Sequence, residues 1–207
     1  MAKKIAIVGR GHVGGALSRG LSRAGHEVNA VEKDERAIRD VAEWADVVIV
    51  AVPFAAVGDV ARIIEPVTAG KPIVDVTNAL NEHAGLAVGF TTSGGEELQR
   101  KLPRAHVVKA FNTVFAGLME TGQVEGQPLT AFVAGDDDAA RSTVMELARD
   151  IGFDAVNSGP LKNARLLEPL GALNIQLGYF LGYGAQGGFR HLHAGAEVTS
   201  GTRLPDP

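Results

Sequence analysis

The chain has 207 residues, 45% of them hydrophobic and 21% charged, a balance that fits a globular protein able to bury a sizeable core. Its formal net charge of -4 argues against a nucleic-acid binder, which would usually carry a basic field. Cysteine is absent, which excludes disulfides, thiolate catalysis and Cys-ligated metal. The apolar run in the opening MAKKIAIVG is too short for a signal peptide, and no stretch of about 18 apolar residues offers a membrane span. A soluble, cytoplasmic protein without membrane or nucleic-acid partners is therefore expected.

In chain order, residues 5–8 form an apolar run ending in glycine, which predicts a buried parallel strand. Val13, Ala16, Leu17, Leu21 and Ala24 recur at helical spacing over 13–24, and Gly25 is placed to end that helix. A second strand is predicted over 27–31, a short helix over 37–41 and a third strand over 47–51. The third reads VVIVA, apolar at every position, and so needs cover on both faces. There follow a helix over 55–64, a strand over 73–76, a short polar helix over 95–102, strands over 106–110 and 129–134, a helix over 138–151 and a last strand over 154–157. Strands alternating with helices imply a parallel sheet with right-handed crossovers.

The composition shifts after Pro160. Residues 161–181 carry Leu166, Leu167, Leu170, Leu173, Ile175, Leu177, Phe180 and Leu181 around the whole helical circumference, which predicts a buried helix. Pro169 should kink or restart it, while Gly171, Ala172 and Gly178 would let it approach a neighbour closely. The glycine-rich tail from Gly182, ending TRLPDP, is expected to be partly mobile. The fold class is thus α/β: a doubly wound Rossmann domain with a mainly parallel sheet over 1–160, and a small helical C-terminal part over 161–207.

The strongest motif is Gly9-Arg10-Gly11-His12-Val13-Gly14, a G-x-G-x-x-G that directly follows a strand and opens an amphipathic helix. Gly9 permits the tight turn, Gly11 lets the backbone approach a pyrophosphate, and Gly14 lets the helix pack on the strand. Free N–H groups and the partial positive charge at the helix start favour phosphate there. Glu32 stands where an acid would bind the adenosine ribose, about 20 residues past the loop. A carboxylate favours NAD(H), yet Lys33, Arg36 and Arg10 lie nearby and cations favour NADP(H). From these residues alone both cofactors stay open.

Ligands of open α/β sheets sit beyond the carboxyl ends of the strands. Those ends carry Val52-Pro53-Phe54, Thr77-Asn78, Asn112-Thr113 and Gly135-Asp136. Asn78, Asn112 and Thr113 could hydrogen-bond the ribose or the nicotinamide amide, and Phe54 and Phe111 could face a planar ring. The acids Asp136 to Asp138 precede a helix and read as charge matched to its dipole. His191 and His193 could share a strand face, but without an acidic partner no metal site is expected. No catalytic acid, base or nucleophile stands out. Hydride passing directly between two redox cofactors needs alignment rather than a protein proton donor.

The segments GRGHVGGAL, ADVVIVAVPF, VDVTNAL, VVKAFNTV, FVAGDDDAA and GPLKNARLLEPL are spaced like those of the NADP oxidoreductases that use 8-hydroxy-5-deazaflavin, coenzyme factor 420. The chain resembles that family over residues 4–189, and it shares the pattern with the dinucleotide domain of transmembrane metalloreductases. The resemblance implies a deazaflavin held in the cleft between the Rossmann domain and the C-terminal helices, against the nicotinamide. It implies that Arg10, Glu32 and Lys33 stand where the family holds the 2′-phosphate. Arg10 and Lys33 suit NADP(H), whereas Glu32 departs from the usual serine or threonine. It also implies a homodimer, which the apolar helix over 161–181 would suit. Two other functions fit the same pattern: a nicotinamide-dependent reductase of another flavin or of ferric chelates, and a non-enzymatic redox sensor that binds the dinucleotide.

Overall fold

The computed structural model describes residues 1–81 and 85–193. Its central sheet has seven strands in the order β2-β1-β3-β4-β5-β8-β9. They are β1 (Lys4–Val8), β2 (Glu27–Val31), β3 (Val47–Val50), β4 (Pro72–Asp75), β5 (His106–Lys109), β8 (Thr130–Gly135) and β9 (Asp154–Asn157). A separate hairpin joins β6 (Gln123–Val124) to β7 (Gln127–Pro128). The helices are α1 (His12–Arg23), α2 (Glu35–Trp44), α3 (Val57–Ile64), α4 (Gly94–Lys101), α5 (Asp138–Asp150) and α6 (Ala164–Ile175), the last continued by a π-helical turn over Gln176–Phe180. Among the described residues no helix is long and apolar enough to cross a membrane.

The strand sequences explain the layering. In β1, Ile5 and Ile7 enter the core cluster beneath α1 and α5, while Ala6 and Val8 enter the one beneath α2, α3 and α4. In β3, Val47 and Ile49 face the first cluster and Val48 and Val50 the second. Both faces of these central strands are covered, so alternation of apolar and polar residues gives way to continuous apolar runs. β1 pairs in parallel with β2 on one side and with β3 on the other. The chain therefore reverses its direction of travel across the sheet at β1, and a crevice forms at the carboxyl ends of β1 and β3.

The sheet is mainly parallel, as expected; the exception is β8, which runs antiparallel to β5 with Val108 opposite Gly135. A parallel neighbour needs a crossover element. The link from β5 to β8 contains only a short 3-10 turn (Ala116–Leu118) and the β6–β7 hairpin, so the strand returns in the opposite sense. The parallel βαβ pattern resumes with α5 and β9. Asp137 accepts a hydrogen bond from Ala140 N at 2.8 Å and caps α5, in line with the reading of the 136–138 acids.

The C-terminal helix also differs from expectation. Pro169 lies inside α6 without ending it. The helix buries one face, with Ala164, Leu167, Glu168, Gly171 and Asn174 turned inward. Its outer side leaves Leu166 68% and Leu173 49% exposed. Tyr179, Phe180 and Leu181 beyond it are exposed as well. A helix that is apolar all round is thus covered by its own chain on one side only. Gly171 and Gly178 do serve close approach: a Cβ on Gly171 would lie 2.8 Å from the Asn112 carbonyl oxygen, and one on Gly178 would collide with the Phe115 ring. In the tail, Thr130 N donates to Phe189 O at 2.9 Å and His191 N to Thr130 Oγ1 at 2.9 Å. The TRLPDP end lies outside the described residues.

Candidate functional site

The glycine loop sits at the reversal point of the sheet. Gly9 adopts a φ of +113°, which strongly favours glycine, and its N–H donates to Val31 O at 2.8 Å. A Cβ on Gly9 would collide with the Ala51 carbonyl, and one on Gly14 with the Gly9 carbonyl. Gly11 is different, because a Cβ there would meet no protein atom within 4 Å. Packing requires the outer two glycines, whereas the space beside the middle one is free for a ligand. The start of α1 reinforces this. Gly11 is its N-cap, no side chain caps it, and no acid lies in its first turn. By contrast Asp34, Ser93 and Asp137 cap α2, α4 and α5. The N–H groups of α1 are left for an anion.

A cleft of about 580 Å³ opens from this loop over the ends of β1, β2 and β3, lined by Gly9, Arg10, Gly11, Glu32, Lys33, Val52 and Pro53 among others. Lys33 has a φ of 65°, and this left-handed turn follows the end of β2 just before the Asp34 cap. The charges of the cleft are balanced. Arg10, Lys33 and Arg62 face Glu32, Glu35 and Asp59. Arg62, which sequence reading missed, comes from α3 and is held by Glu35 Oε1 at 2.9 Å. That hydrogen bond is the main cause of a guanidinium pKa raised above its ordinary value. Arg36 stays outside: its side chain is 91% exposed and lies 3.7 Å from Asp40 on the following helical turn.

A second hollow of about 340 Å³ shares Gly11, Ala51, Val52 and Pro53 with the first and runs on past His12, Val13, Phe54, Thr77 and Asn78. Together the two give an elongated groove across the carboxyl ends of β1 to β4. Asn78 fixes its far wall through a reciprocal pair: its Nδ2 donates to Asn112 O at 2.9 Å, and Asn112 Nδ2 donates to Asn78 Oδ1 at 3.0 Å.

Asn112, Thr113 and Phe111 do not line the groove. Asn112 and Thr113 are buried and hold α6: Asn112 Nδ2 donates to Leu167 O at 2.8 Å, and Asn174 Nδ2 donates to Thr113 O at 3.0 Å. Phe111 is 1% exposed and packs on Phe153 with ring centroids 5.6 Å apart, so it belongs to the core. The polar residues after β5 act on the C-terminal helix, while the apolar residues after β3 and the polar Thr77 and Asn78 after β4 line the groove.

A buried charge cluster lies behind this wall. Lys109 Nζ is 2.9 Å from Asp75 Oδ2 and 2.9 Å from Glu168 Oε1, and it donates to Thr77 O at 2.6 Å. All three ammonium protons thus have partners. Burial, the largest single influence, pushes the lysine pKa down, but the two carboxylates together outweigh it and hold it above its ordinary value. Glu168 also accepts from Gly94 N at 2.9 Å and Gly95 N at 3.1 Å, at the start of α4.

Comparison with known proteins places this geometry. Residues 4–79 match the family model described as NADP oxidoreductase, coenzyme F420-dependent. A provisionally assigned F420-dependent NADP-reductase from Arthrobacter sp. FB24 is 31% identical, with a TM-score of 0.85 over 93% of this chain and 100% of that one. Metalloreductase STEAP3 of Rattus norvegicus is 34% identical over 102 residues, 49% of this chain. The chain spans only about 20% of the length of that relative. The 3-hydroxyisobutyrate dehydrogenase of Mycobacterium tuberculosis shares the fold at 14% identity, with a TM-score of 0.62 over 81% of this chain and 58% of that one. The full-length match to the Arthrobacter structure and the family-model match over the glycine loop agree: the chain belongs to the coenzyme F420-dependent NADP oxidoreductase family.

Proposed function

We propose that the chain binds NADP(H) along the groove and transfers a hydride between the nicotinamide and an 8-hydroxy-5-deazaflavin. One observation carries the binding part of this reading: two hollows that share Gly11, Ala51, Val52 and Pro53 run from Arg10 and Lys33, past the uncapped start of α1, to the wall at Phe54 and Asn78. Gly11 alone of the loop glycines leaves room for a pyrophosphate. Arg10 and Lys33 would hold a 2′-phosphate by charge-assisted hydrogen bonds, with Glu32 opposing them. NAD(H) is the alternative that Glu32 favours.

When bound, the nicotinamide supplies the hydride and the deazaflavin accepts it. The protein orients: Val52, Pro53 and Phe54 give an apolar wall, and Asn78 gives a polar edge fixed by Asn112. Holding reacting atoms about 3–3.5 Å apart lowers a barrier by roughly 7–11 kcal/mol without any proton transfer by a side chain. Membership of the family and the full-length likeness to the Arthrobacter protein support the deazaflavin as acceptor.

A second reading, reduction of another flavin or of ferric chelates, is favoured by the likeness to the metalloreductase over half of the chain. Steady-state NADPH oxidation with deazaflavin, riboflavin and ferric citrate offered separately tests the two. Preference for the deazaflavin supports the first reading, and preference for flavin or iron supports the second. Tight NADPH binding with no turnover would instead favour a sensor.

A further inference from the structure

Buried lysines are rare, and an ion pair in the interior seldom adds stability over an apolar replacement. The cluster of Lys109, Asp75 and Glu168 therefore calls for another reason. All three side chains are at most 1% exposed. Their hydrogen bonds join β4, β5, the start of α4 and the middle of α6. One peptide unit is gripped from both sides. Thr77 N donates to Asp75 Oδ1 at 2.9 Å, and Thr77 O accepts from Lys109 Nζ at 2.6 Å. Thr77 and the following Asn78 form the far wall of the groove. Gly94, whose N–H donates to Glu168, sits between the cluster and that wall: a Cβ on it would lie 3.0 Å from the Phe54 ring and 3.2 Å from Glu168 Oε1. None of Asp75, Thr77, Lys109 or Glu168 lines the Arg10–Lys33 end.

Thr77 carries an unexplained feature. The residue is 6% exposed, and its Oγ1 is a buried polar atom without a hydrogen-bond partner in the protein. Such atoms are uncommon because leaving one unpaired is costly. Thr77 lines the groove, so this unpaired hydroxyl lies beside it, on a backbone held at its N–H by Asp75 and at its carbonyl by Lys109.

We propose that Lys109 is a positioning residue for the nicotinamide end of the groove: it clamps the Thr77 peptide so that the Thr77 hydroxyl and the Asn78 amide meet a ligand carboxamide. The proposal rests on the NADP(H) reading above. It explains why a charged lysine stands where a leucine would pack. An ammonium fixes three acceptors at defined points, and an apolar side chain fixes none.

The test compares NADPH with 2′,5′-ADP, which carries only the adenine half, by calorimetric titration of the wild-type chain and of Lys109→Met, Thr77→Val and Thr77→Ser. Lys109→Met and Thr77→Val should each raise the NADPH dissociation constant tenfold or more, leave that of 2′,5′-ADP within twofold, and Thr77→Ser should restore NADPH binding. If Lys109→Met does not fold, the two Thr77 variants decide alone. Equal losses for both ligands in a folded variant, or no loss for either, would overturn the positioning role while leaving the NADP(H) reading intact. If the wild-type chain binds NADPH no better than 2′,5′-ADP, the positioning role is overturned; if it binds neither, the reading beneath the proposal falls and takes the proposal with it.

Discussion

Gly171 of α6 lies directly against Asn78 of the groove wall: a Cβ on Gly171 would come 2.5 Å from Asn78 Oδ1. The C-terminal helix and the far end of the groove are therefore one packed unit. Gly171→Ala should force them apart and destabilise the fold by about 1–3 kcal/mol, the usual cost of overpacking. The denaturant midpoint reads the loss. NADPH binding should weaken at the same time, because Asn78 must move. A variant of wild-type stability would show that α6 adjusts freely and does not hold the wall.

The glycines of the loop should separate by role. Gly11→Ala should fold normally, since its methyl meets no protein atom, yet bind NADPH poorly. Each charge-assisted hydrogen bond displaced from the pyrophosphate is worth about 1.5–3 kcal/mol. Gly14→Ala should instead lose stability, because its methyl would strike the Gly9 carbonyl. Fluorescence titration and thermal melting of the two variants distinguish these outcomes.

Cofactor choice should follow the residues of the groove rather than their neighbours in sequence. Lys33→Ala and Arg10→Ala should weaken NADPH by on the order of tenfold to a hundredfold and NADH much less, since only the former carries the 2′-phosphate. Glu32→Ser should shift preference further to NADPH by removing repulsion. Arg36→Ala should change neither, because that side chain is exposed and turned to Asp40. Equal effects of Lys33→Ala on both cofactors would contradict the assignment.

Acidification should loosen the same helix pair. Glu96 on α4 accepts from Arg165 on α6 at 2.8 and 2.6 Å, and the Arg165 hydrogen bond is the main cause holding the Glu96 carboxyl below its ordinary value of 4.5. A carboxyl depressed in the folded state contributes stability that is complete above about pH 4.5 and lost as pH falls through the lower folded value. The stability gap between wild type and Glu96→Gln should thus be present at pH 7 and shrink below pH 4.5. A gap that does not change with pH, measured by urea unfolding, would mean that the charge of Glu96 contributes nothing.

The exposed side of α6 should meet a second copy of the chain. Leu166 and Leu173 stand one above the other at helical spacing and are 68% and 49% exposed. Light scattering at micromolar concentration should give twice the chain mass, and Leu173→Lys should halve it. A monomeric wild type would show that this side serves no dimer.

Sequence reading recovered what local patterns encode. The doubly covered strands are legible because every residue of VVIV is apolar, and the glycine loop because strand, motif and helix follow one another directly. Partnerships between distant segments were not legible. Nothing in KAFN or LLEPL shows that Lys109 and Glu168 both point inward, the lysine to Asp75 and the glutamate to the lysine. Their one signal was a charge set within an apolar run. Asn112 and Thr113 have the residue types of a ligand site, yet they face α6 because the chain turns inward after β5. The outer side of α6 misled for a related reason: apolar residues ask for cover, but the sequence does not say whether the sheet or another chain provides it.

Direct hydride transfer within the groove is the central claim, and stopped-flow mixing with NADPH deuterated at nicotinamide C4 tests it most directly. The protein is mixed with NADPH and 8-hydroxy-5-deazaflavin, and the deazaflavin absorbance is followed. A primary isotope effect on its reduction, with deuterium recovered in the reduced ring, is the predicted result. Absence of deazaflavin reduction, or reduction with the deuterium lost to solvent, would contradict it.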